Sequence, residues 1–97
     1  MLSIAICDDE IQITGKIENL VQKIANKNFV NIETEVFWNG ESLLDAIIND
    51  SKFDIIYLDI EMPKEDGISV AKRIRMYDKN VLIIYVTSHE NHMRDSL

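Results

Sequence analysis

"IIYLDIEMPKEDG", residues 55–67, runs four apolar residues into an acid and then keeps adding acids. The run is continuous rather than alternating, as expected of a strand covered on both faces by helices. Asp59 stands where that strand ends, with Glu61, Glu65 and Asp66 just beyond it. Strands do end in polar loops, so the stretch alone does not separate an ordinary strand end from a reactive carboxylate. Its partners elsewhere in the chain have to decide.

Two similar apolar runs occur, at residues 2–7 and 81–86. A weaker one, residues 31–37, sets Ile32, Thr34 and Val36 against Glu33, Glu35 and Phe37, an alternation that suits a sheet edge. Between the runs the apolar residues recur at helical spacing. Ile13, Ile17, Leu20, Val21 and Ile24 form one stripe; Leu43, Leu44, Ile47 and Ile48 a second; Ile68, Ala71, Ile74 and Tyr77 a third. "NKN" closes the first helix, "WNGES" opens the second and "YDKN" closes the third, while "SHENHMRDSL" begins a fourth. The order βαβαβαβ predicts a parallel sheet with right-handed crossovers. Ligands of such sheets bind outside the carboxyl ends of the strands, where the strand order switches.

The carboxyl ends are where the acids collect. Asp8, Asp9 and Glu10 follow the first strand, Asp59 the third, and Thr87 and Ser88 the fourth. If the first and third strands are neighbours, Asp8, Asp9 and Asp59 share one pocket, where several carboxylates resist joint ionisation. Mg²⁺ relieves that conflict, because it takes one or two carboxylates and keeps other positions for water and phosphate. One carboxylate is then free to attack a phosphoryl group and form an aspartyl phosphate. Thr87, one strand over, is placed to donate its hydroxyl to the phosphoryl oxygens. Singly, each group has a plain alternative: "CDDE" a solvated helix start, Asp59 a strand terminus, Thr87 a surface hydroxyl. The alternative must be invoked independently three times to dismiss all of them.

Composition sets the bounds. The 97 residues make one domain at most, spanning 1–97, and can bury a modest core. A net charge of −7 repels phosphate backbones, so direct nucleic-acid binding by this segment is not expected. Cys7 is the single cysteine, which excludes an internal disulfide and fits a reducing compartment. The apolar runs are too short to cross a bilayer, and the first ten residues lack a signal peptide's basic start; the cytoplasm is the expected location. Cys7 reads as a buried strand-end residue, His89 and His92 as surface residues, Trp38 as partly packed on the second helix, and "KRIR" as a solvated helical face.

"AICDDE", "IIYLDIEMPKEDGI" and "VLIIYVTSHE", in this order and spacing, resemble the receiver domain of bacterial two-component response regulators. The variable details resemble the branch carrying a C-terminal LytTR DNA-binding domain. The resemblance implies a flavodoxin-like, three-layer α/β/α fold with strand order 2-1-3-4, and Asp59 as the phospho-acceptor for a sensor histidine kinase. It implies Asp9 as direct Mg²⁺ ligand, Asp8 as a ligand through water, and the backbone carbonyl of Glu61 beside Asp59 in the metal shell. Thr87 is implied as the switch hydroxyl, Pro63 and Gly67 as loop-shaping residues (Gly67 through a positive φ), and Glu61 and His89 as positions that tune phosphoryl lifetime. Such a module takes part in its own phosphorylation without being a turnover enzyme, and its output, transcription through a DNA-binding domain, lies outside these residues.

One departure stands out. A complete receiver has a fifth strand, led by a lysine that pairs with the phosphoryl group, and a fifth helix. Neither follows here, and neither Lys64 nor Lys79 matches that lysine. The chain thus reads as a receiver truncated before its fifth strand. "VLIIYVT" becomes an apolar edge, and self-association through it is expected. Two other functions remain open. A dehalogenase-like phosphatase also uses a strand-end aspartate with Mg²⁺, but it wants a second aspartate where Glu61 stands. A receiver-like interaction module would keep the fold without accepting phosphate.

Overall fold

The computed structural model describes residues 1–87; the expected fourth helix, Ser88, His89 and His92 lie outside the described residues. Four strands form a parallel sheet in the order β2-β1-β3-β6: β1 is Leu2–Cys7, β2 Ile32–Phe37, β3 Ile55–Asp59 and β6 Leu82–Val86. This is the expected 2-1-3-4 order. The numbering differs because Glu61–Met62 (β4) and Glu65–Asp66 (β5) pair as a short antiparallel hairpin, which the sequence pattern did not announce. The helices are α1 (Ile11–Lys27), α2 (Gly40–Ile48) and α3 (Gly67–Arg75).

Alternation along the central strands divides the core into two layers. Ala5 and Cys7 of β1, with Ile56 and Leu58 of β3, join Leu43, Leu44 and Ile47 of α2 and Val70, Ala71 and Ile74 of α3 in one buried cluster. Phe37 meets Phe53 edge-to-face at its rim, ring centroids 5.9 Å apart. Ile4 and Ile6 face the other way, toward α1. That second layer is thinner. Of α1 only Thr14 and Ala25 are fully buried, and Leu20 and Ile24 of the expected stripe stay exposed. In α3 the buried stripe is Val70, Ala71 and Ile74, with Ile68 and Tyr77 outside it. The basic face of α3 is not all solvated either: the Arg75 guanidinium donates to the Val81 carbonyl at 2.6 Å and so fastens the helix end to the start of β6.

Local chemistry sets the helix limits. Asn39 accepts from the Ser42 amide at 2.8 Å to start α2, and Asp66 accepts from the Ile68 amide at 3.0 Å to start α3. Both α1 and α2 end by turning one residue into the left-handed region, Phe29 at φ 56° and Asp50 at φ 72°. At α1 the Val30 amide then reaches back to the Ala25 carbonyl at 2.9 Å; at α2 the Ser51 amide reaches the Ala46 carbonyl at the same distance.

Two predictions follow from backbone geometry. Phe29 is 97% exposed, so its side chain gains nothing for a conformation that disfavours any Cβ. Phe29→Gly should raise stability by roughly 0.5–1 kcal/mol in urea denaturation, after allowing for glycine's extra freedom in the unfolded chain. Gly67 is essential for a different reason from the one expected. No glycine here takes a positive φ; instead a Cβ at Gly67 would lie 2.1 Å from the Asp59 carbonyl oxygen. Gly67→Ala should therefore displace the loop after Asp59 and cost at least about 2 kcal/mol in the same assay.

Candidate functional site

Parallel pairing of β1 with β3 places Cys7 opposite Leu58, so the next residues along, Asp8 and Asp59, leave the sheet side by side. Each is 1% exposed, and Asp9 beside them is open to solvent. One carboxylate oxygen from each of Asp8, Asp9 and Asp59 falls within 4.8 Å of the other two. The backbone holds two of these groups in place. Asp8 Oδ1 accepts from the Glu10 amide at 2.9 Å, and Asp59 Oδ1 from the Glu61 amide at 3.1 Å.

The electrostatics match this crowding. Burial, then the neighbouring charges of Asp59, Asp9 and Glu10, push the Asp8 carboxyl up to about 6, against the pull of its backbone hydrogen bond. The Cys7 thiol is pushed to about 12 by burial first and then by the surrounding carboxylates, which removes any thiolate role at neutral pH. The second oxygen of Asp8 is buried with no hydrogen-bond partner among the described residues. An all-oxygen set with a buried, unsatisfied carboxylate oxygen suits a hard divalent cation such as Mg²⁺ better than a soft one.

The other expected site residues fall around this pocket. β6 pairs with β3 so that Val86 lies opposite Asp59, and the Ile60 amide donates to the Val86 carbonyl at 3.0 Å. Thr87 follows directly, exposed at the same edge of the sheet. Glu61 opens the β4–β5 hairpin and is half-buried. Pro63 and Lys64 are its two turn residues, and the fixed φ of Pro63 suits the first of them. Gly67 closes the loop, its amide donating to the Ile60 carbonyl at 2.9 Å. His89 lies outside the described residues.

The structure adds a residue that the sequence pattern had set aside. Glu65, one of the acids just beyond the strand, accepts through Oε1 from the Gly40 amide at the start of α2. Glu65, Asp9, Met62 and Trp38 share a cleft of about 250 Å³ beside the carboxylate pocket, and Trp38 is 52% exposed there. The contact joins residues 25 apart in sequence, so no local motif could have revealed it.

Comparison with known proteins agrees with this geometry. Residues 4–96 match the family described as "Response regulator receiver domain". The sensory transduction protein LytT of Bacillus subtilis is 28% identical over 92 residues, covering 95% of this chain and 36% of LytT. Sporulation initiation phosphotransferase F of the same species is 31% identical over 86 residues, covering 89% of this chain and 64% of that protein. Among solved structures, the response regulator TrrA of Thermotoga maritima, in complex with Mg²⁺-BeF, superposes with a TM-score of 0.78 at 30% identity. That match covers 98% of this chain and 76% of TrrA. The chain thus spans about a third of the length of LytT. No helix among the described residues is long and apolar enough to cross a membrane. With strand order, acidic pocket and sequence in agreement, the chain belongs to the response regulator receiver domain family.

Proposed function

We propose that this chain is the phospho-accepting switch of a two-component response regulator, with Asp59 as the acceptor. The observation that carries the reading is the convergence of three carboxylates at the ends of adjacent strands, two of them buried. Asp9 and Asp59 would hold Mg²⁺ directly, with the Glu61 backbone carbonyl, and Asp8 would hold it through water. When bound, the ion supplies positive charge against the phosphoryl oxygens and the crowded carboxylates.

The protein's own groups do the rest. A sensor histidine kinase presents a phosphohistidine. An Asp59 oxygen attacks phosphorus, the P–N bond breaks, and the imidazole nitrogen keeps the bonding pair. Asp59 becomes an acyl phosphate. The Glu61 amide, which already donates to Asp59 Oδ1, orients the attacking carboxylate. Thr87, one residue past the strand pair Asp59–Val86, supplies the hydroxyl that meets the transferred group. His89, two residues past Thr87, and Glu61 would modulate how long it stays.

The reading extends to partners and place. The module works in the cytoplasm and reaches DNA, if its output is transcription, through a separate LytTR-type domain. Self-association would use β6, which pairs with β3 on one side among the described residues and leaves Leu82 and Tyr85 half exposed.

With Mg²⁺ and acetyl phosphate, intact-mass measurement should show one alkali-labile phosphoryl adduct on the wild type and none on Asp59→Asn. No adduct on the wild type would leave only a receiver-like interaction module. A second outcome concerns Asp8. Its folded-state carboxyl sits at about 6, above the ordinary 3.8, so the folded state disfavours its charge. The resulting penalty is absent below the ordinary value, grows as pH rises through that window, and reaches about 3 kcal/mol at most near neutrality. In Mg²⁺-free buffer Asp8→Asn should therefore unfold at higher urea than the wild type at pH 7, with the gap closing toward pH 4. A gap that does not change with pH would contradict the buried charge.

A further inference from the structure

The loop carrying Glu61 is a hairpin of two residue pairs, Glu61 with Asp66 and Met62 with Glu65. A ladder this short has no stability of its own, so its position depends on what anchors it: Met62 is buried in the core, and further contacts hold its two ends. One end is tied to the sheet and to α3 by the Gly67 amide on Ile60 and by the Asp66 cap. At the other, the Glu65 carboxylate reaches across to the Gly40 amide. That amide is the first of α2 and has no partner within its helix. The approach is close: a Cβ at Gly40 would lie 2.8 Å from the Glu65 carboxyl carbon and 2.6 Å from a Val70 methyl. Helix α2 already has its own cap, Asn39 on the Ser42 amide. The Glu65 contact therefore does more for the hairpin than for the helix.

We propose that Glu65 is a positioning residue for the phosphoryl-accepting site, clamping the hairpin to α2 so that the Glu61 carbonyl stays in register with Asp9 and Asp59. The proposal rests on the reading of Asp59 as a Mg²⁺-assisted acceptor. Both Glu65 and Asp9 line the cleft beside the pocket, so a hairpin that swings away from α2 opens the metal side of the site. The clamp needs an acceptor oxygen on the side chain and does not need its charge, which separates it from simple electrostatics.

The test measures Mg²⁺ affinity by isothermal titration calorimetry, phosphorylation rate with acetyl phosphate, and urea stability. Glu65→Ala, and Glu65→Met in case the smaller residue fails to fold, should weaken Mg²⁺ binding by roughly tenfold and slow phosphorylation with it, as loss of a supporting partner does at metal sites. Glu65→Gln keeps an oxygen for the Gly40 amide and should restore both to near wild-type values. Arg75→Met, which unfastens the end of α3 from the start of β6 away from the hairpin, should lower stability and leave Mg²⁺ affinity unchanged. Wild-type Mg²⁺ affinity in Glu65→Ala and Glu65→Met, with only stability reduced, overturns the clamp. So does a wild type that binds no Mg²⁺. If the wild type binds Mg²⁺ but takes no phosphoryl group, the acceptor reading fails by itself, and the affinities still decide the clamp.

Discussion

Two carboxylates buried side by side, Asp8 and Asp59, are the constraint on which the rest of this molecule depends. A parallel sheet sends the carboxyl ends of neighbouring strands to one edge, so the register of β1 on β3 alone brings them together. The same sheet continues to β6 and delivers Thr87 beside the residue paired with Asp59. No long loop is needed to assemble the site. Three strand ends do it: buried ladders hold β1 and β3 in register, and β6 joins β3 with only partial cover.

The arrangement stores strain. Burial and like charge raise the Asp8 carboxyl, and its second oxygen has no hydrogen-bond partner among the described residues. A chain selected for stability alone would place an apolar residue here. The cost is tolerated because the two central strands lie in the best-packed part of the molecule: Ala5, Ile6, Ile56 and Leu58 are completely buried. Strain of this kind marks a place where a cation or a transferred charge is expected to relieve it.

Most of the fold and the three acids could be read from the sequence, because both rest on short-range regularities. Continuous β-branched runs mark the strands, and the acids stand one or two residues past them. Less legible was whatever depended on residues far apart in the chain. The stripe of α1 predicted burial for Leu20 and Ile24, yet periodicity reports which residues share a face and not whether anything covers it. Gly67 was expected for its torsional freedom, whereas the structure needs it because the Asp59 carbonyl leaves no room for a Cβ. Glu65 was passed over because its partner amide lies 25 residues away, on a helix whose N-terminus the sequence places but does not aim.

The two faces of the sheet contribute unequally to the site. On the α2 and α3 side, Met62 of the hairpin is buried in the same cluster as Leu43, Val70 and Leu58, so the loop after Asp59 is rooted in the main core. On the α1 side Val21 and Ile24 line an apolar cleft of about 310 Å³ with Ile4, Ile55 and Tyr57. Close-packed interiors transmit displacement, and loosely packed ones absorb it. The loop after Asp59 is thus tied to α2 and α3 through Met62 and Glu65. The Glu65 contact reinforces that bias, since it ties the hairpin's turn to the helix whose buried stripe completes the same core.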